Sequence, residues 1–193
     1  MKKGLLIILS GPSGVGKGTI RKEIMSKYPN LDLHYSISMT TREPRSGEVD
    51  GQDYFFVSFE DFKNNINNDK FLEYSMFVGN YYGTPKEYVY SLLDSGKNVL
   101  LEIEVNGAMQ VMKQFVGKNI VSIFLTATID EIRKRITSRR TEDSKIIEER
   151  LNKAKSEFSS KKYYDFVVFN NDKDKTVETI ADIIKRKIES LNN

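Results

Sequence analysis

The chain has 193 residues, of which 30 are basic and 27 acidic, so its formal net charge is only +3. This length suits one compact domain with a sizeable core, and so small a net charge does not demand nucleic acid as a partner. The sequence has no cysteine and a single histidine, His34, which excludes disulfides, thiolate chemistry and metal sites built from cysteine or clustered histidine.

The first predicted strand, residues 5–9, leads almost directly into a glycine-rich loop that ends in Gly16-Lys17, and a helical pattern follows over residues 19–28. This order is typical of a P-loop, in which backbone N–H groups and the helix N-terminus surround phosphate. We expect Lys17 to reach the β- and γ-phosphates of a nucleotide. The residues predicted to bind ATP here are Gly11, Pro12, Ser13, Gly14, Val15, Gly16, Lys17, Gly18 and Thr19.

The loop departs from the usual pattern at Gly18, because serine or threonine usually follows the lysine and contacts Mg²⁺. Here a hydroxyl comes only with Thr19. We therefore expect Mg²⁺ to be held through the ATP phosphates and water, close to Gly18 or Thr19.

More apolar runs follow, each with a helical pattern after it. The predicted strands are residues 98–103, 120–125 and 166–169, and the predicted helices are residues 105–115, 129–136 and 176–191. Continuous apolar strands that alternate with helices predict an α/β fold with a parallel sheet covered on both faces. Residues 34–37 are a candidate for one more strand. No apolar run could cross a bilayer, so we expect a soluble, cytoplasmic protein with no membrane or nucleic-acid partner.

Two segments break this alternation. Residues 38–84 contain short aromatic-rich runs typical of strands and turns, with a helical pattern over residues 59–66, which predicts a small, partly antiparallel lobe inserted into the core. Residues 135–150 are crowded with charge and poor in large apolar side chains, which favours a mobile flap over core.

Several motifs in this order resemble the guanylate kinase family, whose members transfer the γ-phosphoryl group of ATP to GMP. Besides the P-loop they are Ser38-Met-Thr-Thr-Arg-Glu-Pro-Arg45, Gly47-Glu-Val-Asp-Gly51, Asp53-Tyr-Phe-Phe-Val57, Phe71-Leu-Glu73, Gly79-Asn-Tyr-Tyr-Gly83, Leu101-Glu-Ile-Glu104 and the arginines 135, 139 and 150. The resemblance implies a single domain over residues 1–193 with three parts. These are a P-loop core (1–37, 85–128 and 156–193), an inserted mixed α/β GMP-binding lobe (38–84) and a helical lid (129–155).

The resemblance also implies which residues bind the GMP phosphate. Arg42 and Arg45 match the arginines that bind it, and Tyr54 and Tyr82 match its phenol donors. The chemistry agrees, because guanidinium groups bind phosphate oxygens in pairs.

Other residues match positions that contact the guanine base. Glu73 matches the carboxylate that accepts both guanine N1–H and the 2-amino group, and Ser38 and Thr84 match hydroxyls at the base edge. Adenine has an acceptor at that ring nitrogen, so a carboxylate disfavours it. Thr84 stands where the family often has serine.

Two glutamates end the strand at residues 98–103, at positions where the family usually has aspartate. The resemblance places Glu104 near the GMP ribose and base. It places Glu102 where it orients a Mg²⁺-bound water or the acceptor phosphate. The family also often has glutamine where this chain has Asn106.

Arg135, Arg139 and Arg150 match arginines that close over the phosphates, and with Lys17 and Arg42 they are the predicted catalytic residues. Arg139 is also expected to stack on adenine, with Asn170 near that base. The alternative for this charged segment is a solvated helix face, in which the arginines pair with neighbouring acids. We prefer that interpretation for Lys134 and Arg140.

Three alternative functions stay open at this point. The chain could phosphorylate AMP, UMP or dTMP, it could be a non-catalytic interaction domain that binds phosphorylated partners, or it could be a nucleotide-dependent switch. Glu73 and the segment around Tyr82 favour guanine, and Lys17 favours catalysis. The sequence leaves the use of dGMP undecided, as well as the choice between monomer and homodimer.

Overall fold

The structure, a computed structural model, describes residues 4–77, 79–117, 119–137 and 144–191, without the side chains of Ser144 and Lys145. Within these residues the strands are β1 (Leu6–Ser10), β2 (Leu33–Tyr35), β3 (Met39–Thr40), β4 (Phe55–Phe56), β5 (Phe71–Phe77), β6 (Asn80–Pro85), β7 (Asn98–Glu102), β8 (Ile120–Thr126) and β9 (Phe166–Phe169). The α-helices are α1 (Lys17–Lys27), α2 (Phe59–Asn67), α3 (Lys86–Asp94), α4 (Val105–Gln114), α5 (Ile129–Thr137), α6 (Ser144–Glu157) and α7 (Lys173–Ser190).

A parallel sheet with the strand order β2-β7-β1-β8-β9 forms the core. The predicted α/β fold with a parallel sheet between helices is therefore confirmed. The carboxyl ends of β1 and β7 meet at one edge of the sheet, which is where open α/β sheets bind ligands.

The two faces of this sheet are both buried. Ile7 and Leu9 point into a cluster with residues of α1, α5, α6 and α7, whereas Leu6 and Ile8 point into a cluster with residues of α3 and α4. Because successive residues of β1 face two different buried clusters, its sequence is a continuous apolar run from Leu6 to Leu9. Each such side chain contributes about 1.5–3 kcal/mol when fully buried.

A second, mixed sheet has the strand order β4-β3-β6-β5. Its β3–β6 and β5–β6 pairs are antiparallel and its β3–β4 pair is parallel. Helix α2 covers it with the Phe62 ring, whose centroid lies 4.5 Å from that of Phe71 and 5.2 Å from that of Tyr81. Ser58 caps α2 by accepting a hydrogen bond from the Asp61 N–H. The mixed strands and the helix expected between residues 38 and 84 are thus present.

Helix α3 was not predicted, and α6 was expected only as part of the helical lid that the family resemblance implies, not from its own sequence pattern. Ile147, Leu151 and Ala154 are spaced four and three residues apart and form a narrow apolar stripe on one face of α6. The many charged residues in this part of the chain made that stripe difficult to recognise in the sequence. Leu151 and Ala154 are fully buried in the core, as is Ile132 of α5. Residues 138–143, which include Arg139 and Arg140, lie outside the described residues.

Smaller differences concern the ends of elements. Helix α7 begins at Lys173 rather than at residue 176, because the Asp172 side chain accepts a hydrogen bond from the Lys175 N–H and caps the helix. The strand expected at residues 34–37 lies at Leu33–Tyr35. Among the described helices, none has the length and apolar character required to span a membrane.

Candidate active site

The P-loop connects β1 to α1 and is fixed by hydrogen bonds to its backbone. Gly16 has φ 102° and caps the helix, a left-handed conformation that favours glycine. The Val15 carbonyl accepts hydrogen bonds from Arg135 Nη1 (2.7 Å) and Asn170 Nδ2 (2.8 Å). The positive end of the α1 dipole lies at Gly16, and this arrangement suits an anion.

Lys17 folds back over this loop. Its ammonium donates hydrogen bonds to the carbonyls of Gly11 (2.7 Å) and Pro12 (3.3 Å) and lies 3.9 Å from Glu104 Oε1. Phosphate oxygens would be stronger acceptors than these neutral carbonyls. The Lys17 ammonium is therefore placed so that hydrogen bonds to phosphate oxygens could replace its hydrogen bonds to the loop carbonyls.

Arg135 and Asn170, both predicted for the nucleotide site, contact the outside of the loop. Besides its bond to Val15, Arg135 donates to the Asn170 carbonyl (2.7 Å). These contacts tie α5 and the end of β9 to the P-loop backbone.

Arg150 approaches the loop from α6. Its Nε and Nη2 donate to Ser13 Oγ at 3.1 and 3.0 Å, and both residues are buried. Two turns further along the same helix, Glu157 is also buried. Burial and the nearby Glu104 charge raise the pKa of Glu157 to about 7, against the opposing effect of Lys153 and Lys17.

Arg42, predicted to bind the GMP phosphate, is engaged by a carboxylate that we did not predict. Its Nη2 lies 2.9 Å from both oxygens of Glu48, and Glu48 Oε2 also accepts the Arg45 N–H at 2.8 Å. Glu48 thus occupies an anion-binding position formed by Arg42 and Arg45. Its place six residues after Arg42 in a charged loop was the only signal for it in the sequence.

Two predicted phenol donors lie beside Arg42. The rings of Tyr54 and Tyr82 are 6.1 Å apart, and the Arg42 guanidinium is 5.5 Å from the Tyr54 ring centroid. Burial, and then the Glu102 charge, raise the pKa of Tyr54 to about 12. Tyr54 therefore keeps its proton and can donate it in a hydrogen bond.

Glu73 lies opposite Thr84 in the β5–β6 pair and accepts a 2.6 Å hydrogen bond from its hydroxyl. Glu73 is only 5% exposed. Burial is the main cause that raises its pKa to about 7, and the Glu104 charge adds to it. A Cβ at Gly107 would overlap the Glu73 carboxylate, so the absence of a side chain there lets α4 pack against it.

Glu102 at the end of β7 is paired with Arg21 of α1 at 2.9 Å. Arg21 also covers the Tyr35 ring, with its guanidinium carbon 3.9 Å from the centroid. A Cβ at Gly18 would lie 3.3 Å from Glu102 Oε1. The glycine after Lys17 thus leaves space for this longer acidic side chain, an association between positions 18 and 102 that we did not predict.

Glu104, two residues on, is paired with Lys153 of α6 at 2.6 Å. Burial opposes its ionisation, but Lys17 and Lys153 outweigh that effect and hold the pKa of Glu104 below its ordinary value. Lys153 was not predicted to take part in the site.

One cavity of about 880 Å³ brings most of the predicted residues together. The predicted residues that line it are Ser13, Gly14, Gly16, Lys17, Gly18, Thr19, Ser38, Arg42, Arg45, Tyr54, Glu73, Tyr82, Glu102, Glu104 and Arg150. Its lining also includes Ser75, Phe77 and Ile103, which were not predicted. Gly11, Pro12, Val15, Thr84, Arg135 and Asn170 support these residues from behind, through the contacts described above.

The described residues contain no group of three or more histidine, cysteine, aspartate or glutamate side chains that could hold a metal ion by themselves. Thr19, the hydroxyl that was predicted to lie near Mg²⁺, is exposed, and the Glu102 carboxylate lies beside Gly18.

Known proteins resemble this chain over almost its whole length. A family model described as guanylate kinase matches residues 3–187. A guanylate kinase of Bacillus cereus is 52% identical over 184 residues, which cover 95% of this chain and 88% of that protein. A guanylate kinase of Mesoplasma florum is 50% identical over 96% of this chain, but the chain spans only 62% of that longer protein.

The fold comparison agrees. The crystal structure of guanylate kinase from Anaplasma phagocytophilum superimposes with a TM-score of 0.79 at 30% sequence identity, covering 96% of this chain and 87% of that one. Because the family model and the Bacillus relative both cover nearly the whole chain, the chain belongs to the guanylate kinase family.

Proposed function

We propose that this protein transfers the γ-phosphoryl group of ATP to GMP and forms ADP and GDP. One observation carries the proposal, which is that a single cavity contains both the P-loop lysine, Lys17, and the buried carboxylate of Glu73. A phosphate-binding loop alone would suit many nucleotides, whereas a buried carboxylate next to Thr84 suits guanine. Membership of the guanylate kinase family supports the same conclusion.

On the donor side, the triphosphate of ATP binds along residues 11–19, with Lys17 on the β- and γ-phosphates. Arg150 contacts Ser13 of the loop and lines the cavity, so it can reach the transferring group. Arg135 and Asn170 hold the loop backbone in the shape that accepts phosphate. Arg139 stays a prediction from the sequence, as a lid arginine that stacks on adenine.

On the acceptor side, Glu73 accepts guanine N1–H and the 2-amino group, while Thr84 and Ser38 complete the contacts to the base. AMP is disfavoured because its ring nitrogen would place a lone pair against the carboxylate and leave buried polar groups unpaired. Glu104 lies on the ribose side.

The GMP phosphate binds to Arg42 and Arg45 with the phenols of Tyr54 and Tyr82. Glu48 already contacts Arg42 and the Arg45 N–H, so these two donors are held in place before GMP arrives, and the phosphate replaces the Glu48 carboxylate there. Pre-arranged donors reduce the ordering that binding requires.

The phosphate oxygen of GMP is itself the nucleophile, so the reaction needs positioning and charge stabilisation rather than a side-chain nucleophile. Lys17, Arg42, Arg139 and Arg150 are the proposed catalytic residues, and Arg135, which was predicted with them, positions the P-loop backbone through its bond to Val15. Bound Mg²⁺ would neutralise charge on the ATP phosphates. We propose that Thr19 and Glu102 hold its water ligands.

We also propose that residues 38–84 and 129–155 close over the bound nucleotides against the rest of the chain. Closure would exclude water, which could otherwise accept the phosphoryl group. The use of dGMP, the choice between monomer and homodimer, and a cytoplasmic location stay predictions from the sequence.

The direct test is ADP release from Mg-ATP in a coupled assay, with GMP, dGMP, AMP, UMP, dTMP or no acceptor. We expect turnover that depends on GMP. Activity with AMP or a pyrimidine nucleotide instead would overturn the assignment of Glu73. GMP binding without any turnover would favour an interaction domain.

Lys17→Met serves as the matched catalytic variant in this assay, because it removes the ammonium and keeps a long apolar stem. We expect it to abolish turnover, with far-ultraviolet circular dichroism and the melting temperature close to those of the wild type. Near-normal activity would contradict the proposed mechanism.

A further inference from the structure

Lys153 of α6 connects three parts of the molecule through one ammonium group. Its Nζ lies 2.6 Å from Glu104 Oε2, 4.4 Å from the centroid of the Phe77 ring and 3.8 Å from Glu157 Oε1. Glu104 follows strand β7 of the core sheet, and Phe77 ends strand β5 of the mixed sheet. Both Glu104 and Phe77 line the cavity, so this ammonium contacts two of its walls.

Glu104 stands between two ammonium groups. Lys153 lies 2.6 Å from one of its oxygens, and Lys17 lies 3.9 Å from the other. Lys17 nevertheless donates its hydrogen bonds to the carbonyls of Gly11 and Pro12. The close partner of Glu104 is therefore Lys153, and the P-loop lysine keeps its place on the loop.

The neighbouring glutamate shows the same arrangement. Glu102 has Arg21 as its partner at 2.9 Å. Each of the two acids at this edge of the sheet thus makes its shortest ion pair with a cation from outside the P-loop, Arg21 of α1 or Lys153 of α6. Lys17 therefore keeps its hydrogen bonds to the loop carbonyls, although its charge also acts on Glu104 from 3.9 Å.

We propose that Lys153 is a positioning residue for the acceptor nucleotide, which fixes the Glu104 carboxylate and the Phe77 ring and keeps Glu104 from drawing Lys17 off the loop. The inference rests on the proposed function, since it assigns Glu104 and Phe77 to the GMP side of the cavity. An ammonium in contact with a carboxylate and the face of an aromatic ring can hold both.

Loss of the Lys153 charge has two physical consequences. Glu104 loses its closest partner, so its side chain is free to change rotamer and no longer presents a fixed acceptor. Lys17 becomes the nearest cation to that carboxylate, and its attraction to Glu104 then competes with its attraction to phosphate. The first consequence weakens GMP binding, and the second lowers kcat.

The test compares Lys153→Met with Lys155→Met, a matched change on the same helix at an exposed position. We expect Lys153→Met to raise the KM for GMP about tenfold, with a smaller fall in kcat and a change in the KM for ATP of less than about threefold. Lys155→Met should leave all three constants unchanged. Lys153→Arg, which keeps the charge, should recover most of the KM for GMP.

A double-mutant cycle decides whether Lys153 acts through Glu104. In a Glu104→Gln background, we expect Lys153→Met to change the KM for GMP by less than about twofold, because the carboxylate that it positions is gone. A tenfold effect that persists in this background would overturn the inference. So would an unchanged KM for GMP in the single variant, or a fall in melting temperature that Lys153→Arg does not reverse.

Calorimetric titration of GMP without ATP or Mg²⁺ separates this inference from the proposed function. If the wild type binds GMP but shows no turnover, the proposed kinase activity fails, and the GMP Kd of Lys153→Met against Lys155→Met still decides the role of Lys153. We expect that Kd to rise about tenfold in Lys153→Met alone. A wild type that does not bind GMP would overturn both.

Discussion

Glu73 is ionisable, buried and hydrogen-bonded at 2.6 Å to Thr84. Its pKa is about 7 in the folded chain, above the ordinary value of 4.5. A carboxyl whose pKa rises on folding gives its full contribution to stability below its ordinary pKa and loses it as the pH rises through 7. The unliganded protein should therefore lose stability between about pH 4.5 and pH 7 on account of this group.

The Glu73→Gln variant tests this pH dependence of stability, because glutamine has nearly the same shape as glutamate and does not ionise. We expect it to raise the free energy of unfolding at pH 8 by up to about 3 kcal/mol, since each pKa unit corresponds to about 1.4 kcal/mol, and to change it little at pH 5. Urea unfolding at the two pH values measures the difference. Glu60→Gln, at an exposed position of α2, is the control, and an equal gain at both values would contradict the prediction.

The same substitution should damage recognition of the base. A glutamine amide offers one acceptor and one donor group where guanine presents two donors, so at least one charge-assisted hydrogen bond is lost and a donor faces a donor. We expect kcat/KM for GMP to fall about 10- to 150-fold, because hydrogen bonds to charged groups are worth about 1.5–3 kcal/mol each. Steady-state kinetics with varied GMP provides the measurement, and a loss below fivefold would exclude Glu73 as the base contact.

The sequence allowed us to predict most residues of the cavity, but not their partners. Arg21 meets Glu102 across 81 positions of the chain, and Lys153 meets Glu104 across 49. Such pairs depend on which side chains the fold brings together at the sheet edge. Glu48 is only six residues from Arg42, but an acid in a charged loop is not distinctive in a sequence.

At the scale of elements, the conformation of the P-loop depends on a glycine at position 16. Gly16 has φ 102°, and a Cβ there would lie 2.9 Å from Asn170 Nδ2. Gly16→Ala should therefore combine backbone strain, of about 1–3 kcal/mol, with displacement of the Asn170 side chain that holds Val15. We expect a lower melting temperature and at least a tenfold weaker ATP affinity, measured by calorimetric titration.

Gly117 offers a matched control for that prediction. Its φ is 72°, and a Cβ there would have no neighbouring heavy atom within 4 Å. Gly117→Ala should show the strain alone, as a lower melting temperature with unchanged ATP affinity. If Gly16→Ala also leaves ATP affinity unchanged, the P-loop does not depend on the contact between position 16 and Asn170.

The strands of the parallel sheet were easier to predict from the sequence than helix α6, because they differ in how much of their surface is buried. The strands of the parallel sheet are buried on both faces, so their apolar runs are continuous and conspicuous. Helix α6 buries only a narrow stripe, with Leu151 and Ala154, among long charged side chains. Its apolar signal is weak, although it supplies Arg150 and Lys153 to the site.

At the scale of the whole molecule, the cavity joins two sheets, each with apolar packing of its own, although Leu72 of the mixed sheet packs into the core cluster of Leu6 and Ile8. The parallel sheet is stabilised by the two clusters on its faces. The mixed sheet is covered by stacked rings of its own, in which Phe62 lies between Phe71 and Tyr81. Lys17, which is proposed to bind ATP, belongs to the parallel sheet unit, and Glu73, which is proposed to bind GMP, belongs to the mixed sheet.

This separation predicts that the two binding activities can be lost independently. Phe62 is fully buried, and truncation of a buried phenylalanine costs about 3–5 kcal/mol. Because its ring contacts lie within the mixed sheet, Phe62→Ala should weaken GMP binding at least tenfold while ATP binding stays within about twofold of the wild type. Ile123→Ala, in the cluster beneath the P-loop, should lower the melting temperature of the whole chain.

Calorimetric titrations of GMP and ATP, each without the other nucleotide, measure the two affinities for both variants. Because Ile123→Ala destabilises the sheet that carries the P-loop, it should weaken ATP binding at temperatures close to its melting point, where Phe62→Ala should still bind ATP. Equal losses of GMP and ATP affinity in Phe62→Ala would mean that the mixed sheet and the core unfold as one unit. In that case residues 38–84 would not form a lobe that can move against the core, and closure would have to come from residues 129–155.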